Sequence, residues 1–210
     1  MKWAKSIGVI DNKRLGGNLL RVIAGEYKGR RLDPIEGRDI RPTSDKVKES
    51  LFNILGDAVI DSVFLDLFSG TGGIGIEALS RGAKHVVFID SSVKSIKVLR
   101  GNLNRLNIKD CAEVYNADFV TAINKLHEHG KRFDIVFIDP PYRIGMAESA
   151  LKEIDNKNIL AQSGLIVVEH DSKEDMPQRV GKLFLYRFKK YGNTILSFYS
   201  IDEQSQQKEE

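Results

Sequence analysis

Residues 63–75 read Val63-Phe64-Leu65-Asp66-Leu67-Phe68-Ser69-Gly70-Thr71-Gly72-Gly73-Ile74-Gly75. An apolar run of strand length stops at a turn dense in glycine, and the residues after it carry a helical pattern. A strand, a glycine turn and a helix bring backbone N–H groups close to a ligand, because glycine permits the sharp turn and puts no side chain in the way. Gly70, Gly72 and Gly75 satisfy G-x-G-x-x-G, a pattern that by itself also suits a dinucleotide fold.

The same unit repeats downstream. Apolar runs at residues 63–68, 85–89, 112–115, 135–138 and 165–168 alternate with helical stretches at 73–80, 93–106, 119–127 and 147–154. Repeated β-α predicts an α/β fold, a doubly wound parallel sheet with helices on both faces. Two last strands, 184–190 and 194–200, are joined only by Tyr191-Gly192-Asn193. A parallel partner would need a crossover, so this link predicts an antiparallel C-terminal element. Upstream, residues 20–24 and 30–32 flank Gly25 and Gly29 and predict a small β-hairpin. Pro42-Thr43-Ser44-Asp45 then opens a helix. Thr43 or Ser44 is its N-cap, Val47, Leu51, Ile54 and Leu55 form its apolar face, and Gly56 ends it. The expected division is an extension of unassigned role at 1–19, the hairpin region at 20–42, an α/β domain at 43–201 and an acidic tail at 202–210.

The chain has 210 residues, of which 41% are apolar, enough for one domain with a true core and too many for a disordered chain. Its net charge is +3, but the tail holds four acids against one base, so the body before it carries +6. Basic residues gather at Lys28, Arg30, Arg31, Arg38, Arg41, Lys46 and Lys48. They form either an ordinary solvated surface or a face for phosphates. Cys111 is the only cysteine, which excludes an internal disulfide, and its apolar surroundings predict a core position. His127-Glu128-His129 lacks further ligands nearby, so no metal is expected. No apolar run approaches the roughly 18–20 residues of a membrane helix, and the N-terminus has no signal-peptide core, which predicts a cytoplasmic protein.

Several acids stand beside these turns. Asp66 precedes the glycine turn, where a carboxylate can meet the ammonium of a methionine moiety; a nicotinamide dinucleotide has no cationic amine for it. Asp90 ends the next strand and suits ribose hydroxyls, since a carboxylate accepts from two donors. Asp118 follows the third strand and either accepts from adenine N6, with Phe119 beside the ring, or caps the next helix.

The fourth strand runs into Asp139-Pro140-Pro141-Tyr142. Two prolines stiffen the loop and remove its N–H donors, leaving carbonyls to accept. An exocyclic NH2 group offers two hydrogens. Asp139 can take one and the Pro140 carbonyl the other, which draws the nitrogen out of conjugation and frees its lone pair. Tyr142 can stack on the base. The nitrogen then attacks a sulfonium methyl in line, and positioning is the main catalytic device.

Asp139–Tyr142 with the 66–75 turn resembles the class I S-adenosylmethionine (SAM)-dependent amino-methyltransferases. Leu20-Arg21-Val22-Ile23-Ala24-Gly25-Glu26-Tyr27-Lys28-Gly29-Arg30-Arg31-Leu32, Arg41-Pro42-Thr43-Ser44-Asp45-Lys46-Val47-Lys48-Glu49-Ser50-Leu51-Phe52-Asn53 and Tyr191-Gly192-Asn193-Thr194 closely resemble the RsmD family. That resemblance implies a seven-stranded, Rossmann-like sheet and methylation of N2 of a guanine in bacterial 16S rRNA. It places Asp66, Phe68, Ser69, Gly70, Thr71, Gly72, Asp90, Ser91, Asp118 and Phe119 around SAM. Asp139, Pro140, Pro141 and Tyr142 would take the target base. Lys28, Arg30, Arg31, Arg41, Thr43 and Lys46 would contact RNA, within a small-subunit ribosomal particle. Two departures stand out: family members often start close to the position of Leu20, which leaves residues 1–19 unexplained, and Asp90 stands where glutamate is usual. The alternatives are a DNA or other RNA base amino-methyltransferase, an NAD-dependent dehydrogenase that leaves Asp139–Tyr142 without a task, and a catalytically silent RNA-binding module.

Overall fold

The computed structural model describes residues 20–35, 43–141 and 145–202. The expectations that fall on residues 1–19, Arg38, Arg41, Tyr142 and the tail beyond Asp202 lie outside them.

The elements follow the predicted alternation. Helix α1 (Asp45–Leu55) leads into a short 3-10 turn (Gly56–Val59), then β1 (Val63–Asp66), α2 (Gly73–Ser80), β2 (His85–Asp90) and α3 (Val93–Arg105). Next come β3 (Ala112–Asn116), α4 (Phe119–Glu128), β4 (Phe133–Ile138), α5 (Met146–Lys157) and β5 (Leu160–Asp171). The chain ends in β6 (Arg179–Val180), β7 (Leu183–Tyr191) and β8 (Thr194–Ile201). Ser44 caps α1 by accepting from the Val47 N–H at 3.3 Å, and Gly56 follows its last turn.

One sheet holds the strands in the order β3-β2-β1-β4-β5-β8-β7-β6. Strands β1 to β5 are parallel, and β8 enters antiparallel beside β5. The winding reverses between β1 and β4, so their carboxyl ends frame the crevice where such sheets bind ligands. The sheet has eight strands where seven were expected. The extra one, β6, is two residues long and pairs only with Leu183 and Phe184, too short to leave a periodic signal. Strand β5 also begins earlier than its apolar run at 165–168, because Gln162 and Ser163 are exposed and hide its start.

Strand alternation sorts the core into two layers. Phe64, Phe88, Phe137 and Val167 meet Leu51, Ile76 and Leu99 of α1, α2 and α3 on one face. Leu65, Val87, Val136 and Ile166 meet Ile123 of α4 and Leu151 of α5 on the other. Cys111 packs at the edge of the first layer, only partly buried.

The hairpin of residues 20–32 is present in reduced form, with one bridge between Arg21 and Arg31 and Val22 donating to the Arg30 carbonyl at 3.0 Å. It is held to α2 by Glu77, which is fully buried. The Glu77 carboxylate accepts from the Ile23 N–H at 2.7 Å, the Ala24 N–H at 3.0 Å and Arg81 Nε at 2.8 Å. Lys48 Nζ lies 3.7 Å away and donates to the Arg21 carbonyl. A buried carboxylate is tolerable only when it is paired and hydrogen-bonded in this way. Lys48 therefore leaves the basic surface on which the sequence placed it, because at 1% exposure it serves as the internal counter-charge of Glu77. Gly25 is required here: it has φ +81°, and a Cβ would lie 1.7 Å from the Ser80 carbonyl oxygen.

Candidate active site

Four neighbouring strands carry an acid at or near the carboxyl end of their parallel pairing, on the same face of the sheet. Phe64 and Phe88 point into the first core layer, so Asp66 and Asp90, two residues on, project the same way. Ile138 pairs with Val168 across β4 and β5, which sets Asp139 beside Glu169 just beyond the paired ends, in phase with Phe137 and Val167. Asp66, Asp90, Asp139 and Glu169 thus gather at the switch point, on the face that α1 and the hairpin cover. None of the four forms a salt bridge among the described residues.

Their electrostatics follow from this crowding. Burial holds the Asp66 carboxyl up at about 7, with the charge of Asp90 adding to it and the Gly75 N–H opposing. Burial also lifts Asp139 well above the usual range, reinforced by the charges of Glu169 and Asp66. Glu169 is pushed up to about 7 by burial, against a hydrogen bond from Thr43. Thr43 Oγ1 donates to Glu169 Oε2 at 2.9 Å. Thr43, expected near cofactor or RNA, is thus fastened to the acid that flanks Asp139. The Asp139 carboxylate accepts no hydrogen bond among the described residues, and its residue is only half-buried. Pro140 is half-buried and Pro141 exposed, which leaves this loop open for a planar group.

The glycine turn departs from the expectation that its N–H groups point at a ligand. Gly70 donates to Asp90 Oδ2 at 2.9 Å, Gly75 to Asp66 Oδ2 at 3.0 Å, and Gly72 to the Ser69 carbonyl at 2.7 Å. Ser69 donates backbone and side-chain hydrogens to the Ile89 carbonyl. The acids of β1 and β2 therefore shape the turn from beneath. What the turn offers is space: Gly70 has φ +53° and nothing within 4 Å of where a Cβ would stand. Gly75 is needed for packing, since a Cβ there would meet Phe88 Cε1 at 2.2 Å.

The remaining cofactor candidates line the neighbouring turns. Asp90 Oδ1 accepts from the Ser92 N–H at 2.7 Å, and Ser91 is exposed beside it. A carboxylate has about four acceptor sites, so two backbone contacts leave Asp90 capacity for hydroxyl donors. Asp118 caps α4: its two oxygens accept from the Thr121 N–H at 2.9 Å and the Thr121 hydroxyl at 2.7 Å. These bonds hold its pKa below the usual range. Phe119 meets Phe68 with ring centroids 5.7 Å apart, so the turns after β1 and β3 share an aromatic wall.

Lys28, Arg30, Arg31 and Lys46 are all exposed. Arg30 is partly committed, donating to the Arg105 carbonyl at 3.2 Å. The acid missed from sequence is Glu169. Its signal was present, since Val167-Val168-Glu169 repeats the apolar-run-then-acid pattern of Leu65-Asp66, Ile89-Asp90 and Ile138-Asp139.

Known proteins are similar to this chain in sequence and fold. A putative rRNA methyltransferase of Bacillus subtilis, YlbH, is 41% identical over 180 residues, covering 86% of this chain and 98% of that protein. Ribosomal RNA small subunit methyltransferase D of Escherichia coli is 33% identical, covering 91% of this chain and 94% of that protein. The solved structure of the putative methyltransferase yhhF from Escherichia coli superposes with a TM-score of 0.78 at 33% identity, covering 88% of this chain and 98% of that one. An RNA methyltransferase from Salinibacter ruber, solved with S-adenosyl-L-homocysteine, shares the fold with a TM-score of 0.62 at 19% identity, over 77% of this chain and 94% of that one. Residues 20–200 match the family described as Conserved hypothetical protein 95, the RsmD family, and the chain belongs to it.

Proposed function

We propose that this chain transfers a methyl group from SAM to the exocyclic N2 of a guanine in the 16S rRNA of a bacterial small-subunit particle, in the cytoplasm. The observation that carries the reading is the group of four acids on one sheet face, beside a turn in which the N–H groups of Gly70, Gly72 and Gly75 are already used. Such a site suits a cationic ligand and an amine. SAM, when bound, supplies an electrophilic methyl on a sulfonium and carries an ammonium as well. Asp66 and Asp90 would face its methionine and ribose parts across Gly70, and Phe68 and Phe119 would flank its adenine. Asp118 would reach adenine N6 from its place as the α4 cap.

Asp139 and the Pro140 carbonyl would each accept one hydrogen of the target amine, holding its lone pair toward the methyl. Two rigid acceptors do this without a strong base; the surplus proton leaves after transfer. Tyr142 would stack on the base, and Lys28, Arg30, Arg31, Arg41 and Lys46 would hold the RNA backbone. Support for ribosomal RNA comes from the names of the relatives that cover nearly the whole chain.

The dehydrogenase reading meets an obstacle in the turn. A dinucleotide pyrophosphate needs N–H donors, and those of Gly70 and Gly72 are engaged. Thermal denaturation with each ligand separates the two. SAM and S-adenosylhomocysteine should raise the melting temperature and NAD should not; the reverse outcome removes the proposal.

A further inference from the structure

Adjacent acids imply adjacent donors on the substrate. Asp139 and Glu169 stand side by side past the paired Ile138 and Val168. No cation pairs with either among the described residues. Glu169 is also oriented, since Thr43, just ahead of α1, donates to one oxygen and leaves the other to act. Holding two carboxylates together without a counter-charge is costly, and a structural role does not require it. Glu169 caps no helix and holds no loop: the Thr43 bond is the only side-chain hydrogen bond it makes among the described residues.

The bases that carry an exocyclic amine differ at the neighbouring ring nitrogen. In adenine and cytosine that nitrogen is an acceptor and would face a second carboxylate lone pair to lone pair. In guanine it is N1–H, a donor directly beside the N2 amine. We infer that Glu169 is a specificity-determining residue that accepts the guanine N1–H while Asp139 and the Pro140 carbonyl hold N2. The inference rests on the proposed amine methylation and adds the group that selects the base. Thr43 becomes a positioning residue for Glu169. Burial holds the Glu169 carboxyl up at about 7, and a donor in contact with it favours the ionised form.

The test replaces the target guanine by 2-aminopurine, which keeps the C2 amine but has an unprotonated N1. Small-subunit rRNA is assembled with either base at the nucleotide that the wild-type protein methylates, and kcat/KM is compared. The wild type should prefer guanine by ~100-fold or more, the scale on which a site built for a donor rejects an analogue lacking it. In Glu169→Gln the amide can turn its NH2 toward the purine N1, and the preference should fall below ~10-fold. Thr43→Val should narrow it by a smaller factor. S-adenosylhomocysteine binding verifies the fold of each variant. If Glu169→Gln does not fold, Glu169→Asp withdraws the carboxylate from N1 and should narrow the same ratio. An unchanged ratio in the folded variants, at whatever absolute rate, overturns the inference alone. A wild-type protein that leaves guanine N2 unmethylated overturns the proposed function and the inference with it.

Discussion

Asp90, at the end of β2, accepts the Gly70 N–H at 2.9 Å and so holds the turn after β1 in shape. Two strands thus build one turn, and the carboxylate proposed to meet ribose also fixes the glycine next to it. Asp90→Ala removes both contacts. S-adenosylhomocysteine affinity should fall about 10- to 100-fold, as expected for one or two hydrogen bonds to a charged group. Asp90→Asn keeps an acceptor and should lie between. Isothermal titration measures both.

The proposed function gives Asp139 and Asp66 different ligands although they share a face. Asp139→Ala should lower methyl transfer by about 10³-fold or more, on the scale of lost positioning, while SAM affinity changes little. Single-turnover rates and titration of the same preparation separate the two effects. Retained transfer would remove Asp139 from the reacting site.

The raised carboxyls predict a pH dependence of definite sign. Asp66 and Glu169 sit at about 7 when folded, above their values in an unfolded chain. The folded state therefore binds more protons than the unfolded one between the ordinary carboxylate range and about 7. The contribution of these two acids to stability without ligand should be greatest below that window and decline as pH rises through it. A cationic ligand reverses the balance by favouring the ionised acids. SAM should bind more tightly at pH 8 than at pH 6, and more steeply so than S-adenosylhomocysteine, which lacks the sulfonium charge. Melting curves and titrations at the two pH values check this.

Glu77 ties the hairpin to the body. Glu77→Gln removes the principal counter-charge of the buried Lys48 ammonium and should cost about 3–5 kcal/mol. Urea denaturation gives the value. Adding Lys48→Met should recover part of the loss, since it removes the buried ammonium and leaves only Arg81, which reaches solvent, without its carboxylate.

Lys28 and Arg31 are exposed on the hairpin that Glu77 anchors. Changing each to alanine should reduce the salt slope of RNA binding by about 1 per residue, with SAM affinity unaltered. An unaltered slope would return both to ordinary surface.

The chain order of elements was legible because each strand is an apolar run that ends at a turn or an acid. The 66–75 turn and Asp139–Tyr142 stood out because glycine and proline constrain the backbone in ways few other residues do. Three features were not legible. Strand β6 is formed by two residues that a sheet edge recruits. Lys48 reads as surface until Glu77, 29 positions away, is folded against it. The glycine N–H groups were expected to face the ligand, whereas Asp66 and Asp90 claim two of them through contacts nine and twenty residues apart. Glu169 did have a signal, its place after an apolar run like the other three, but no glycine or proline turn follows it to draw attention to it.

The most direct test supplies tritiated SAM and the purified protein to bacterial small-subunit particles that lack base methylation, followed by digestion and mapping of the labelled nucleotide. The account predicts label in 16S rRNA at one site, as N2-methylguanosine. Label on another base, label on protein alone, or no transfer to particles that bind the protein would contradict it.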